Sequence, residues 1–344
     1  MKHKKIFKNY PYIIAEISAN HNGKLKNIFK LIDTAKKNGA DAVKIQTYTP
    51  HMMTLKKNSK QFKIRSGEWK GYNLWNLYEK GQTKIEWHKK IFNYAKKKNI
   101  LIFSTPFSTE AVDILQNLKC PAYKIASFEM NDLNLVKYIA KTKKPMVIST
   151  GLANLKEIET TVKIAKKFGC KDLTLLYCVS NYPSDTSDFN LNIINILKNK
   201  FKCRVGLSDH SLGSKVAEYS LICGAEVFEK HIALANQKKG LDLSFSIKGK
   251  KLKDYCDTLR KLSALINNKK FSRTKNEMEN KIFRRSIYTT KKINKGEKFS
   301  EINIKTFRPA IGLSASEFLT ILGKKSPVTI EKDEPLPKNL KSLL

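Results

Sequence analysis

His210 and His231 each close a strand-like run, and only a short βα interval separates them. The runs are Arg204-Val205-Gly206-Leu207-Ser208-Asp209-His210 and Glu226-Val227-Phe228-Glu229-Lys230-His231. Alternate residues of a strand share a face, so Ser208 lies with His210 and Glu229 with His231. If the two strands are parallel neighbours, both imidazoles emerge at one end of a sheet, where a divalent metal could be held. On spacing alone, two ordinary polar strand ends explain the pair more simply, because two ligands do not define a metal site.

Other strand-like runs also end in polar groups. The first offers Glu16, Ser18, Asn20 and His21, and the second Lys44 and Gln46, which share a face. Further on come Ser104-Thr105, then Lys124, Ser127 and Glu129, then Ser149-Thr150, then Ser180-Asn181-Tyr182. A polar residue in an apolar β run costs stability unless paired, so this many at corresponding positions points to a site. Lys44 and Lys124 among hydroxyls would suit a phosphate and a carboxylate, lysine supplying charge and hydroxyls directed hydrogen bonds. The two imidazoles with water and substrate oxygens would make an open site suited to Mn²⁺ or a similar ion. Glu16, Glu129 and Asp242 are candidates for proton transfer or hydroxyl binding. An anionic phosphoester beside a polarised carbonyl points to carbon–carbon bond formation.

The elements that must position these groups alternate along the chain. Strands are expected over 12–18, 42–48, 101–107, 122–127, 145–150, 173–179, 204–210 and 226–232. Between them lie helical patterns such as Leu25, Ile28, Phe29, Ile32 and Ala35. Glycines at 39, 169 and 224 stand where a helix would hand over to the next strand. Eight βα units over about 265 residues fit a TIM (β/α)8 barrel, in which working residues lie at the C-terminal strand ends. No G-x-G-x-x-G follows the first strand, which removes the main reason to expect a dinucleotide fold. The link between the second and third strands is long and carries Trp69, Tyr72, Trp75 and Tyr78, suiting either a lid or packing against the scaffold. The barrel is expected over 1–266, a polar linker over 267–283, and a small domain of short strands and turns over 284–344. That last domain is marginal alone and should pack on the barrel or on a partner chain.

The net charge of +36 raises nucleic acid or another polyanion as a partner. The excess is nearly all lysine, with only seven arginines, and is spread over helix faces such as Lys36-Lys37 and Lys166-Lys167. No nucleic-acid motif accompanies it, so a solvated lysine-rich surface and an anionic small substrate are the expectation. Six scattered cysteines without a C-x-x-C pair read as reduced core residues of a cytoplasmic protein. Glu16 interrupts the apolar run that follows the basic start, against a signal peptide, and no stretch reaches the length of a membrane span.

The motifs Ala15-Glu16-Ile17-Ser18-Ala19-Asn20-His21-Asn22-Gly23, Lys44-Ile45-Gln46-Thr47-Tyr48-Thr49-Pro50, Ser104-Thr105-Pro106-Phe107, Tyr123-Lys124-Ile125-Ala126-Ser127-Phe128-Glu129, Gly206-Leu207-Ser208-Asp209-His210 and Glu229-Lys230-His231 resemble the sialic acid synthase family. The segment 284–323 resembles its antifreeze-like SAF domain. Ser18, Ile45, Phe128 and Asp242-Leu243-Ser244-Phe245-Ser246 are similar to the pseudaminic branch; the sialic and legionaminic branch typically differs at these points.

That resemblance implies condensation of phosphoenolpyruvate with an open-chain 2,4-diacetamido-2,4,6-trideoxy-L-altrose, giving pseudaminic acid and phosphate. It places Lys44, Lys124, Ser127, Ser149, Ser180, Tyr182 and Ser208 around phosphoenolpyruvate. It gives Glu16 and Glu129 to proton transfer, and Gln46 and Asp242 to the sugar. A divalent metal on His210 and His231, Mn²⁺ first with Mg²⁺ or Co²⁺ as alternatives, would polarise the sugar aldehyde. A domain-swapped homodimer is implied, in which Arg308 reaches the partner's pocket and binds an N-acyl group. The alternatives are an N-acetylneuraminate or N,N'-diacetyllegionaminate synthase and, remotely, a non-catalytic polyanion-binding protein.

Overall fold

The computed structural model describes residues 10–266 and 271–344; the basic start of the chain and positions 267–270 of the expected linker lie outside the described residues. The chain separates into two compact units, Met1–Asn267 and Asn268–Leu344. In the first, parallel strands β1 (Tyr12–Glu16), β2 (Ala42–Thr47), β3 (Leu101–Pro106), β4 (Tyr123–Ile125), β5 (Met146–Ser149), β6 (Leu173–Cys178), β7 (Arg204–Asp209) and β8 (Val227–Ala233) pair in chain order. β8 also pairs with β1, from Tyr12 opposite Val227 to Glu16 opposite His231, and so closes the TIM barrel.

Every position of β1, β5, β6 and β8 is buried. One face of such a strand fills the barrel interior and the other lies under helices, so β1, β5 and β6 read as mostly apolar runs rather than alternating ones, whereas β8 carries Glu229, Lys230 and His231 at its centre. The helices are amphipathic; Leu25–Lys37 buries Ile28, Leu31, Ile32 and Ala35. Side-chain caps fix where they begin. Asn154 Oδ1 accepts from Glu157 N–H at 3.0 Å while Glu157 returns the bond at 2.8 Å, a capping box that starts Leu155–Lys167. Gly39, Gly169 and Gly224 take positive φ at helix-to-strand turns, as the sequence predicts.

The expected strands run slightly long at the ends that matter. Ser18–His21 is a 3-10 turn, not strand, with Ser18 at φ 44°, and Ser127–Glu129 forms a second such turn. These turns let polar side chains leave the strand period and bend over the barrel mouth. β7 and β8 approach so closely at Gly206 that a Cβ there would sit 1.9 Å from the Val227 carbonyl oxygen. A short β9 (Ile247–Lys248) continues the sheet beside β8.

The second unit pairs β10 (Ser286–Thr289) with β11 (Ile304–Phe307) in antiparallel fashion. Ile287, Phe299, Ile304, Leu313, Ile321 and Leu336 belong to a core of its own. Lys275–Glu279, within the segment read as linker, forms a short helix capped by Thr274, whose Oγ1 accepts from Glu277 N–H at 3.1 Å.

Candidate active site

At the C-terminal ends of the barrel strands the polar residues surround a cavity of ≈ 350 Å³. Pairing register places Glu16 between Lys44 on β2 and His231 on β8, and sets Ser208 opposite Glu229. Lys44 Nζ lies 2.6 Å from Glu16 Oε2, 3.7 Å from Glu229 Oε2, and donates to Thr105 Oγ1 at 2.9 Å. Lys124 Nζ donates to Glu229 Oε1 at 3.3 Å, and the Ser208 hydroxyl donates to the same oxygen at 3.0 Å. Two ammonium groups and two carboxylates thus form one buried network on the cavity floor.

Burial alone would push every carboxyl here upward; the two lysines decide which one stays ionised. Despite burial, Lys124 and Lys44 hold Glu229 down to about 2. Glu16 is pushed up to about 7 by burial, with Lys44 pulling the other way and Glu229 adding to the rise. Glu129 is raised to about 7, chiefly by burial, and Asp242 is raised for the same reason. Burial lowers Lys124, whereas Glu16 and Glu229 outweigh burial at Lys44 and raise it.

The imidazoles of His210 and His231 stand with ring centroids 5.5 Å apart. His210 Nδ1 is 3.1 Å from the Val179 carbonyl oxygen, which makes it the protonated nitrogen and leaves Nε2 with a free lone pair. Burial depresses both histidines, His210 to about 4, so both are neutral at neutral pH, as metal ligation requires. Phe245 packs against His231 at 4.9 Å and Tyr182 against His210 at 4.4 Å. Among the described residues no group of three or more His, Cys, Asp or Glu is placed to hold a metal. What the donor set fits is an open site of two neutral imidazoles, with remaining positions for water and substrate oxygens. His231 Nδ1, Ser149 Oγ and Glu129 Oε2, all on residues that line the cavity, are buried without a hydrogen-bond partner among the described residues.

Most of the residues singled out in the sequence come together here. Lys44, Gln46, Lys124, Ser127, Glu129, Ser149, Tyr182, Ser208, His210, His231 and Asp242 all line the cavity. Glu16 lies beneath Lys44 and is fully buried. Ser180 sits behind Ser127, its Oγ 3.7 Å from Cys178 Sγ, which in turn lies 3.0 Å from Ser127 Oγ. Arg308 belongs to the second unit, exposed just after β11. Asp242 is held by the Ala19 N–H, 3.1 Å from Oδ2, and by the Ser18 side chain. His21 and Asn20 serve structure instead. His21 Nδ1 accepts from Gly23 N–H at 3.0 Å, and Asn20 Nδ2 donates to the Ile232 carbonyl oxygen at 2.8 Å.

Glu229 and Trp69 line the cavity too, although the sequence assigns neither a catalytic or binding role. Glu229 was placed on the face of His231 by strand alternation, yet its partnership with two lysines depends on strands far apart in the chain. Trp69 comes from the long link after β2; its Nε1–H donates to the Leu241 carbonyl oxygen at 2.8 Å and its ring lies 5.2 Å from Tyr182. Trp69 and Tyr78 line the cavity with Met53, Ile64, Leu77 and Leu241, whereas Tyr72 and Trp75 do not. The cavity therefore has a charged floor and an apolar wall.

Fold and cavity define a TIM-barrel protein with a cavity on its C-terminal face whose floor is charged and whose wall is apolar. The NeuB family profile matches residues 31–271 and the SAF domain profile residues 284–340. The chain belongs to the NeuB family. It is 43% identical to the pseudaminic acid synthase of Campylobacter jejuni subsp. jejuni across 94% of this chain and 95% of that one. To the N,N'-diacetyllegionaminic acid synthase of the same organism it is 36% identical, across 94% of this chain and 97% of that one. The crystal structure of an N-acetylneuraminic acid synthetase from Leptospira borgpetersenii superposes with a TM-score of 0.71 at 30% identity, covering 79% of this chain and 90% of that one.

Proposed function

We propose that this chain condenses phosphoenolpyruvate with 2,4-diacetamido-2,4,6-trideoxy-L-altrose to give pseudaminic acid and inorganic phosphate. The observation that carries the reading is the near full-length likeness to a pseudaminic acid synthase, 43% against 36% for the legionaminic enzyme of the same organism. The cavity supports it: a floor with two lysines suits a phosphoenolpyruvate anion, and an apolar wall suits the methyl groups of a deoxy, diacetamido sugar.

In this reading Lys44 and Lys124 neutralise the phosphate and carboxylate, Ser127, Ser149, Ser208 and Tyr182 supply hydrogen bonds, and Ser180 acts on that site through Cys178 and Ser127. Gln46 and Asp242 orient the sugar at the mouth. His210 and His231 would hold a divalent ion, Mn²⁺ first, and that ion supplies Lewis-acid polarisation of the sugar aldehyde. The C2=C3 π pair of phosphoenolpyruvate attacks the aldehyde carbon through C3, the carbon–carbon bond forms as the aldehyde C=O π bond opens to an alkoxide that takes up a proton, and water adds at the cationic C2 with loss of a proton. Glu129, raised to about 7, is suited to exchange that water's proton at neutral pH, with Glu16, paired with Lys44, as the second proton carrier. The tetrahedral intermediate then gives up its C2 hydroxyl proton, breaks the C2–O bond to the phosphoryl group and releases phosphate, leaving the C2 ketone.

A domain-swapped homodimer belongs to the same reading, with Arg308 reaching the partner's cavity to bind an N-acyl group. No described helix is long and apolar enough to cross a membrane, and the six cysteines are free. A reducing, cytoplasmic setting fits both. Incubating the purified chain with Mn²⁺, phosphoenolpyruvate and each candidate sugar, then measuring phosphate and product mass, tests the proposal. Turnover is expected with the altrose substrate; turnover only with N-acetylmannosamine or the legionaminate precursor would overturn the substrate assignment.

A further inference from the structure

Behind the two imidazoles, on the outer face of the barrel wall, lies a buried ion pair that the cavity chemistry does not use. Asp209 and Lys230 are register partners on β7 and β8, and both are buried. Strand alternation turns them away from Ser208 and Glu229, toward the covering helices. Lys230 Nζ lies 2.9 Å from Asp209 Oδ2 and also donates to the Ser211 carbonyl oxygen. Asp209 Oδ1 accepts from the Ser211 N–H at 2.9 Å and from its hydroxyl at 2.6 Å. The Tyr255 hydroxyl, from helix Lys251–Ile266, stands 3.5 Å from Oδ2.

The connectivity is what gives this network a consequence. Asp209 and Ser211 flank His210, and Lys230 precedes His231. One ammonium group therefore binds the residues on both sides of one imidazole while belonging to the neighbour of the other. Stability alone does not call for charges at this position, since well-packed apolar residues often serve a buried site as well as an ion pair. A fully satisfied polar network does fix local geometry more tightly than apolar packing.

We propose that Asp209 and Lys230 form a positioning clamp that sets the separation and orientation of His210 and His231 for a divalent metal. The inference rests on the metal reading above. Ligands of such an ion tolerate only small displacements, and loss of an outer partner typically weakens metal binding about 10- to 100-fold.

The test is a Mn²⁺ titration of the metal-stripped full-length protein, with free Mn²⁺ followed by electron paramagnetic resonance. D209N/K230M removes both charges together, so neither is left buried alone. This variant is expected to keep the parental circular dichroism, to bind phosphoenolpyruvate without metal within about twofold of the parent, and to raise the Mn²⁺ Kd about 10- to 100-fold. Ser211→Ala, a smaller change that removes one Asp209 hydrogen bond, should raise the Kd by a lesser factor and decides the matter if the double variant does not fold. Parental Mn²⁺ affinity in the folded double variant, or in Ser211→Ala should the double variant not fold, overturns the clamp alone. A parent that binds no Mn²⁺ overturns the clamp together with the metal reading.

Discussion

At the scale of single residues, the carboxyls of the cavity differ by their neighbours and not by their type. Glu229 has two lysines and is held down to about 2, whereas Glu129 has mainly burial and rises to about 7. Removing Lys124 should therefore act on the anion. Lys124→Met is expected to raise the KM for phosphoenolpyruvate about 10- to 100-fold, the worth of one hydrogen bond to a charged group, with the sugar KM within about twofold. Steady-state kinetics with each substrate varied in turn check this. Glu129 leads to a stability prediction. Between its ordinary 4.5 and about 7 the unfolded chain has lost a proton that the folded protein keeps. The folded form is thus favoured at low pH, and that contribution disappears as pH rises through about 7. Glu129→Gln should abolish turnover, yet exceed the parent in stability by up to about 3 kcal/mol at pH ~8, with the two converging near pH ~4. Urea unfolding at both pH values measures it; equal stability of the two proteins at the higher pH would contradict a raised carboxyl.

At the scale of elements, the site is built by turns that leave the strand period and by two crossing segments. The link after β2 brings Trp69, and the segment after β8 brings Leu241, Asp242 and Phe245; one indole hydrogen bond joins them over the cavity. Apart from Asp242 the wall they form is apolar, so its loss should affect the sugar and spare the charged floor. Trp69→Ala is expected to lower kcat/KM for the altrose substrate about 10-fold or more, because it removes both a large apolar surface and the tie between the segments. Trp69→Phe keeps a ring but not the N–H donor and should fall between. An unchanged sugar kcat/KM in Trp69→Ala would mean that the wall does not meet the substrate.

At the scale of the whole molecule, the SAF-like unit carries its own core, yet the proposed dimer makes it part of another chain's site. Arg308 and His210 would then serve one cavity from different subunits. Mixing Arg308→Ala with His210→Ala, each weak or inactive alone, should restore activity on subunit exchange through the dimers that combine one intact set. Failure of the mixture to exceed either variant, with exchange verified by size and labelling, would place Arg308 outside the partner's site. The +36 charge does not bear on this, because the lysines that matter, Lys44 and Lys124, are buried ones.

The eight strands, the helix faces and the polar strand ends were legible along the chain because hydrophobic period and capping are local properties. The same locality explains what was missed. Ser104 and Thr105 are neighbours, yet only Thr105 meets Lys44; Ser104 hydrogen-bonds to the Ile45 carbonyl oxygen at 3.0 Å. Linear order did not reveal that Trp69 would meet Leu241, 172 positions away, or that Glu229 would lie between Lys44 and Lys124. These contacts exist because β8 closes against β1 and brings distant strand ends around one hollow. Closure turned a row of polar residues into a network with unequal proton affinities.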